Sequence, residues 1–207
     1  MKSSLLLSLL LLLSNCNKDD DSFTPTLPPI TQTGANTFGC YVDGKLLTPR
    51  DGTGTFNYPD YGMIFWGSPS GNSDSELAIR DYKSGTGGLL DIHITDFHQN
   101  REGTFPIKES NCQDGIDANP TINIRCRWWD ESLQAYKWYC SIENTGNLII
   151  TRYDYTNSIV SGTFNCRGQN RDDATDIIEI TEGRFDVKWS TLLETEFLEN
   201  KKLCSRS

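Results

Sequence analysis

The sequence predicts an all-β fold: an antiparallel β-sandwich or a meandering β-barrel with a short C-terminal helix. Three observations carry that expectation. Short segments rich in β-branched and aromatic residues recur along the chain, several alternate apolar and polar residues with a period of two, and turn-forming pairs separate them. Period-two alternation is the pattern of an antiparallel sheet with one face on a core and one in water.

Strands are expected over residues 37–42, 63–66, 76–82, 89–95, 121–129, 136–143, 147–155, 159–167, 176–181 and 183–189. In the fourth, Leu90, Ile92 and Ile94 face one way and Asp91, His93 and Thr95 the other. In the fifth, Ile122, Ile124 and Cys126 oppose Asn123, Arg125 and Arg127, and near the end Phe185, Val187 and Trp189 oppose Arg184, Asp186 and Lys188. Turn signals stand between the runs at Asp43-Gly44, Gly71-Asn72, 85–88, 144–147 and 156–158. Gly162-Thr163-Phe164 and Gly183-Arg184-Phe185 each place a glycine just before an inward aromatic, which reads as a bulge or close backbone approach in the core. Only the end departs from β patterning. Thr191 with Glu194 forms a capping box, Leu193 and Phe197 lie one turn apart, and Lys201-Lys202 suit a helix C-terminus. A short amphipathic helix is therefore expected over 192–201, packed beside Trp189.

The N-terminus predicts location. Lys2 precedes an apolar run from Leu5 to Leu13, then Ser14, Asn15 and Cys16. The run is about nine residues, against roughly twenty for a membrane-spanning helix. A short positive start, a leucine stretch and a cysteine at the cleavage position mark a secretory signal that ends at a lipid-modified cysteine, Cys16. Asn15 departs from the small residue usual before that cysteine. The acidic run Asp19-Asp20-Asp21 and the prolines Pro25, Pro28 and Pro29 then describe an extended tether. The expected layout is a signal at 1–15, an acylated tether at 16–33, a β domain at 34–189 and a helical tail at 190–207.

Charge and cysteines narrow the class. The formal net charge is -9, which argues against nucleic acid as a partner. There are 7 cysteines; with Cys16 assigned to lipid, the even remainder outside the cytoplasm permits disulfides. Facing Trp128 with Trp138 across a hairpin sets Cys126 opposite Cys140, within disulfide range, the alternative being two buried thiols. No Cys-x-x-Cys or His-x3-His spacing marks a metal site, and no cofactor motif is present.

No catalytic constellation is legible. His93 and His98 read as solvated, and Gly67-Ser68-Pro69-Ser70-Gly71 has proline where a nucleophile elbow needs its nucleophile. The acidic stretch 172–176 lacks the spacing of a calcium loop and reads as a solvated turn. The candidate ligand-binding residues are aromatic: Trp128, Trp129, Trp138 and Tyr139 on one hairpin. Adjacent strand residues point to opposite faces, so either Trp128 with Trp138 or Trp129 with Tyr139 lies on the outer face, unless a loop or the C-terminal helix covers it. Exposed aromatics on an anchored protein suit stacking against sugar rings.

The residues also carry a resemblance. Residues 27–34 (Leu-Pro-Pro-Ile-Thr-Gln-Thr-Gly), then Asn36-Thr37-Phe38-Gly39-Cys40 and Val42-Asp43-Gly44-Lys45, resemble the opening of a family of small Bacteroidota lipoproteins of unknown function. Gly103-Thr104-Phe105-Pro106-Ile107 is similar to that family's mid-chain strand. Residues 159–164 and 180–187 are similar to its closing pair. The lysine and aspartates after Cys16 resemble the export signal of surface lipoproteins from the same group. The extra cysteines and the tail after Trp189 depart from the family's pattern. The resemblance implies a lipid-anchored β domain at the outer membrane, exposed at the cell surface, with no activity attached. The resulting expectation is a non-catalytic binding or accessory module, anchored to the membrane through Cys16 and recognising a glycan or an envelope protein. The alternative is a structural component of an envelope assembly with no small ligand.

Overall fold

The computed structural model describes residues 24–55, 59–67 and 74–192. Within them the chain runs β1 (Thr37–Val42), β2 (Lys45–Leu47), β3 (Met63–Gly67), β4 (Ser75–Arg80), β5 (Leu89–Ile94), α1 (Phe97–Asn100), β6 (Gly103–Pro106), β7 (Asn123–Asp130), β8 (Ala135–Ser141), β9 (Asn147–Asp154), β10 (Ile159–Asn170) and β11 (Ile177–Lys188). All the strands belong to one antiparallel sheet, curled into a half-barrel, with the order β2-β1-β11-β10-β8-β7-β5-β4-β3. The all-β antiparallel class expected from the sequence is the class observed, and its form is a single curled sheet.

The long strand β10 is the pivot. One edge pairs with β11 along nearly its whole length. The other edge pairs first with β9 (Ile159 to Asn165) and then with β8 (Gly168 to Asn170), so the sheet forks there, and β6 adds to β9. The curl closes around one apolar core, with Leu77, Ile92, Ile124, Leu148, Phe164, Ile180 and Val187 all buried. The inward sets predicted for β5, β7 and β11 are in that core.

Close approach explains the two Gly-aromatic motifs. Gly162 faces Phe185 across β10 and β11, and Phe164 faces Gly183. A Cβ on Gly183 would lie 2.5 Å from the Phe164 ring, and one on Gly162 would lie 2.6 Å from Phe185. Each ring therefore lies over the facing glycine, a reciprocal fit that no larger residue permits.

Several expectations are corrected. The strands predicted at 176–181 and 183–189 are one strand, β11. It is continuous through Glu182, whose φ of 50° falls where the pairing registers shift. α1 was not predicted; it buries Phe97 against Phe65, Tyr153 and Trp189. His98 on α1 is not free in solvent, because its Nδ1 lies 2.5 Å from the Tyr153 hydroxyl. Trp189–Thr191 form one 3-10 turn and Leu192 is extended. The Thr191 hydroxyl, needed for the capping box, instead donates to the Lys188 carbonyl and accepts from the Asn36 amide. The rest of the expected helix at 192–201 lies outside the described residues, as do Cys204, the signal segment with Cys16, and the Gly71-Asn72 turn.

The tether boundary also moves. Residues 27–35 are docked on the sheet rather than free. Pro28 and Leu27 lie over Gly39, and the Pro28 carbonyl accepts from Arg184. The Gln32 carbonyl accepts from Arg152. The anchor is Asp186, 1% exposed. Its carboxylate accepts hydrogen bonds from Thr31 Oγ1 (2.7 Å), Thr33 N (2.9 Å), Thr33 Oγ1 (3.2 Å), Gly34 N (2.8 Å), Ala35 N (3.2 Å) and Ser161 Oγ (2.7 Å). Burial would raise this carboxyl. The donors from Thr31, Ser161, Thr33 and Gly34 outweigh burial and hold it well below the usual carboxylate range.

Candidate functional site

The β7–β8 hairpin turns through residues 131–134. Asp130 Oδ1 accepts from Ser132 N at 2.8 Å, Ser132 Oγ at 2.6 Å and Leu133 N at 3.0 Å, and Gln134 adopts a φ of 52°. This side-chain-capped turn fixes the register: Asp130 faces Ala135, Trp129 faces Tyr136, Arg127 faces Trp138, Cys126 faces Tyr139 and Arg125 faces Cys140. The register is one residue away from a Trp128–Trp138 pairing. With a period of two, one residue moves every side chain of one strand to the other face.

Two corrections follow from that slip. Cys126 and Cys140 point to opposite faces, so the expected bridge between them does not form. Cys140 is bonded to Cys112, with Cα atoms 5.2 Å apart. Cys126 is a free thiol in the core with Cys40 and Cys166. Burial raises all three thiols, Cys166 to about 12, which leaves them protonated and unreactive. The second correction concerns the aromatics. Trp128 and Tyr139 share the inner face, and Trp129 and Trp138 share the outer one. Tyr139 is 5% exposed and hydrogen-bonds Asp176 at 3.2 Å. The Trp128 ring packs where a Cβ on Gly88 would stand. The stretch 172–176 is a turn as expected, with Asp176 paired to Lys137 and Asp173 capping Thr175.

The outer face therefore carries Trp129, Tyr136, Arg127, Trp138 and Arg125 in one ladder. Trp129 meets Tyr136 edge-on at 5.0 Å between centroids. The Arg127 guanidinium lies 4.6 Å from the Tyr136 ring and 5.9 Å from Trp138, and Arg125 lies 4.9 Å from Trp138. These are cation–π distances. Tyr136 is 39% exposed, and Trp129, Trp138 and Arg127 are partly exposed. The ladder continues toward a cavity of about 430 Å³ lined by Glu109, Asn111, Cys140, Gln169 and Arg171, with Cys140 two residues from Trp138 on the same face. A smaller cleft of about 120 Å³ lies at the other end, between Lys45, Gly88, Trp128, Trp129 and Glu131.

Beyond the ladder the outer face is covered, contrary to the wet face expected for β5. The connection between β6 and β7 folds over β4, β5 and β7, and the Cys112–Cys140 bond fastens it. Asp91 accepts from Arg80 at 2.5 Å and from Arg125 at 2.7 Å, and Arg125 also pairs with Asp114 at 2.7 Å. Glu76 accepts from Gly115 N at 3.1 Å. Burial pushes the Asp91 carboxyl up against the pull of Arg80 and Arg125. His93 is 2% exposed, not solvated; its ring nitrogens stand 3.5 Å from Asp74 and 3.7 Å from Glu76. This network holds the loop that forms one wall of the larger cavity.

Of the four aromatic candidates, the structure brings Trp129 and Trp138 together on the outer face and turns Trp128 and Tyr139 to the inner one, with Trp128 and Trp129 both bordering the smaller cleft. Sequence reasoning missed Tyr136, Arg127 and Arg125. The Asp130-Glu131-Ser132 turn signal would have set the register and revealed them. Among the described residues no group of His, Cys, Asp and Glu is arranged to hold a metal ion. Comparison with protein-family models, with curated proteins and with solved structures returned no match.

Proposed function

We propose that this protein is a lipid-anchored binding module of the outer membrane that recognises glycans on the outer face of the β7–β8 hairpin. The supporting observation is the row of partly exposed rings formed by Trp129, Tyr136 and Trp138, on the same strand face as Cys140, which borders the larger cavity. Aromatic faces suit the apolar faces of sugar rings, and the polar lining of the cavity suits their hydroxyls. The anchor rests on the sequence from Lys2 to Cys16; no helix among the described residues is long and apolar enough to cross a membrane.

The test is a glycan-array screen of the full chain in detergent, with hits repeated on Trp129→Ala, Trp138→Ala and Trp128→Phe. A buried aromatic at a binding interface contributes about 2 kcal/mol, or roughly thirty-fold in affinity. The first two variants are expected to lose binding on that scale while Trp128→Phe keeps it. A folded protein that binds no glycan, and that crosslinks on cells to a single envelope protein, would instead support the structural alternative.

A further inference from the structure

Arg127 sets the chemistry of the ligand. Among the described residues, the other partly or fully buried arginines each have a carboxylate: Arg50 with Asp81, Arg80 and Arg125 with Asp91, Arg152 with Asp154, and Arg184 with Glu182. Arg127 is partly buried and has none. Its Nε is shielded from solvent and makes no hydrogen bond, while its guanidinium carbon lies 4.6 Å from the Tyr136 ring. A guanidinium that is partly desolvated yet lacks a counter-charge is an unusual arrangement in a chain of net charge -9. The aromatic cradle fixes the group and leaves its terminal N–H donors for a planar, bidentate acceptor. Arg171 flanks the site without supplying a free cation: its backbone N–H donates to the Trp138 carbonyl at 2.9 Å, and its guanidinium pairs with Asp172 at 3.3 Å.

We propose that Arg127 receives the carboxylate of an acidic sugar, so that the ligand of the β7–β8 face is a uronic-acid glycan. This inference rests on the glycan reading above and adds the substrate class. The ring of the uronic residue stacks on Trp138 or Trp129 while its carboxylate meets the fork of Arg127. Arg125, already engaged by Asp91 and Asp114, contributes field rather than a contact.

The test compares uronic-acid oligosaccharides with their carboxyl-reduced counterparts, which keep the ring shape and lose the charge. Titrations use the full chain in detergent and the variants Arg127→Gln, Arg127→Lys and Trp129→Ala, each checked for an unchanged melting profile. The uronic probes are expected to bind about tenfold or more tightly than the reduced ones. Arg127→Gln should erase that difference. Arg127→Lys, which keeps charge but not the fork, should fall between, and Trp129→Ala should weaken both probes alike. Equal binding of both probes, unaffected by Arg127→Gln, would overturn the inference and leave the glycan reading standing. Binding of a polyglutamate peptide with no binding of either sugar probe would overturn both.

Discussion

Replacing Asp186 with Asn tests the anchoring of the N-terminal segment to the sheet. Six hydrogen bonds converge on this carboxylate, five of them from residues 31–35. Hydrogen bonds to a charged acceptor each contribute about 1.5–3 kcal/mol and neutral ones about 1. An Asn keeps one acceptor oxygen and adds donors that face other donors. Release of the segment into water caps the loss, so Asp186→Asn is expected to cost about 3–4 kcal/mol. For a chain of this size that lowers the melting temperature by about 10 °C. The sign with pH follows from the depressed carboxyl. Its stabilisation is complete above the unfolded value near about 4 and is lost as pH falls toward the folded value. The gap between wild type and variant should therefore be full at neutral pH and shrink in acid. Thermal denaturation of both across that range is the assay, with proteolysis within residues 24–35 as a second readout. A variant that melts with the wild type at neutral pH, or a gap that does not narrow in acid, would refute the reasoning.

The disulfide closes a span of 28 residues, so Cys112→Ser with Cys140→Ser should cost about 3.5 kcal/mol in the chain-entropy estimate. Peptide mapping should recover a 112–140 bridge, and a 126–140 peptide would contradict the hairpin register. Gly183→Ala drives a methyl group into the Phe164 ring and should destabilise by about 1–3 kcal/mol in urea titration. Phe97→Ala empties a site enclosed by Phe65, Tyr153 and Trp189 and should cost about 3–5 kcal/mol by the same measurement.

What was legible in the sequence was local. The alternation of Leu90, Ile92 and Ile94, and of Ile122, Ile124 and Cys126, correctly assigned the inner face, because the pattern belongs to each strand alone. The opposite face of β5 was misread as wet. Asp91 and His93 are polar, but they are covered by a loop that arrives from far along the chain and is held by a bridge that spacing could not choose. The aromatic hairpin was found and its faces mispaired, because matching Trp128 to Trp138 by type overrode the turn that sets the register. Thr31 and Thr33 were read as the end of a tether, since their partner, Asp186, lies some 150 residues away.

The central claim is that the outer face of β7–β8 is where a ligand lies. Hydroxyl-radical footprinting of the full chain, with and without the strongest binder from the array, reads this by residue. The expected result is protection of Trp129, Tyr136 and Trp138 on binding, with Trp66 and Trp189 unchanged. Protection elsewhere, with those three rings as reactive as in the free protein, would contradict it.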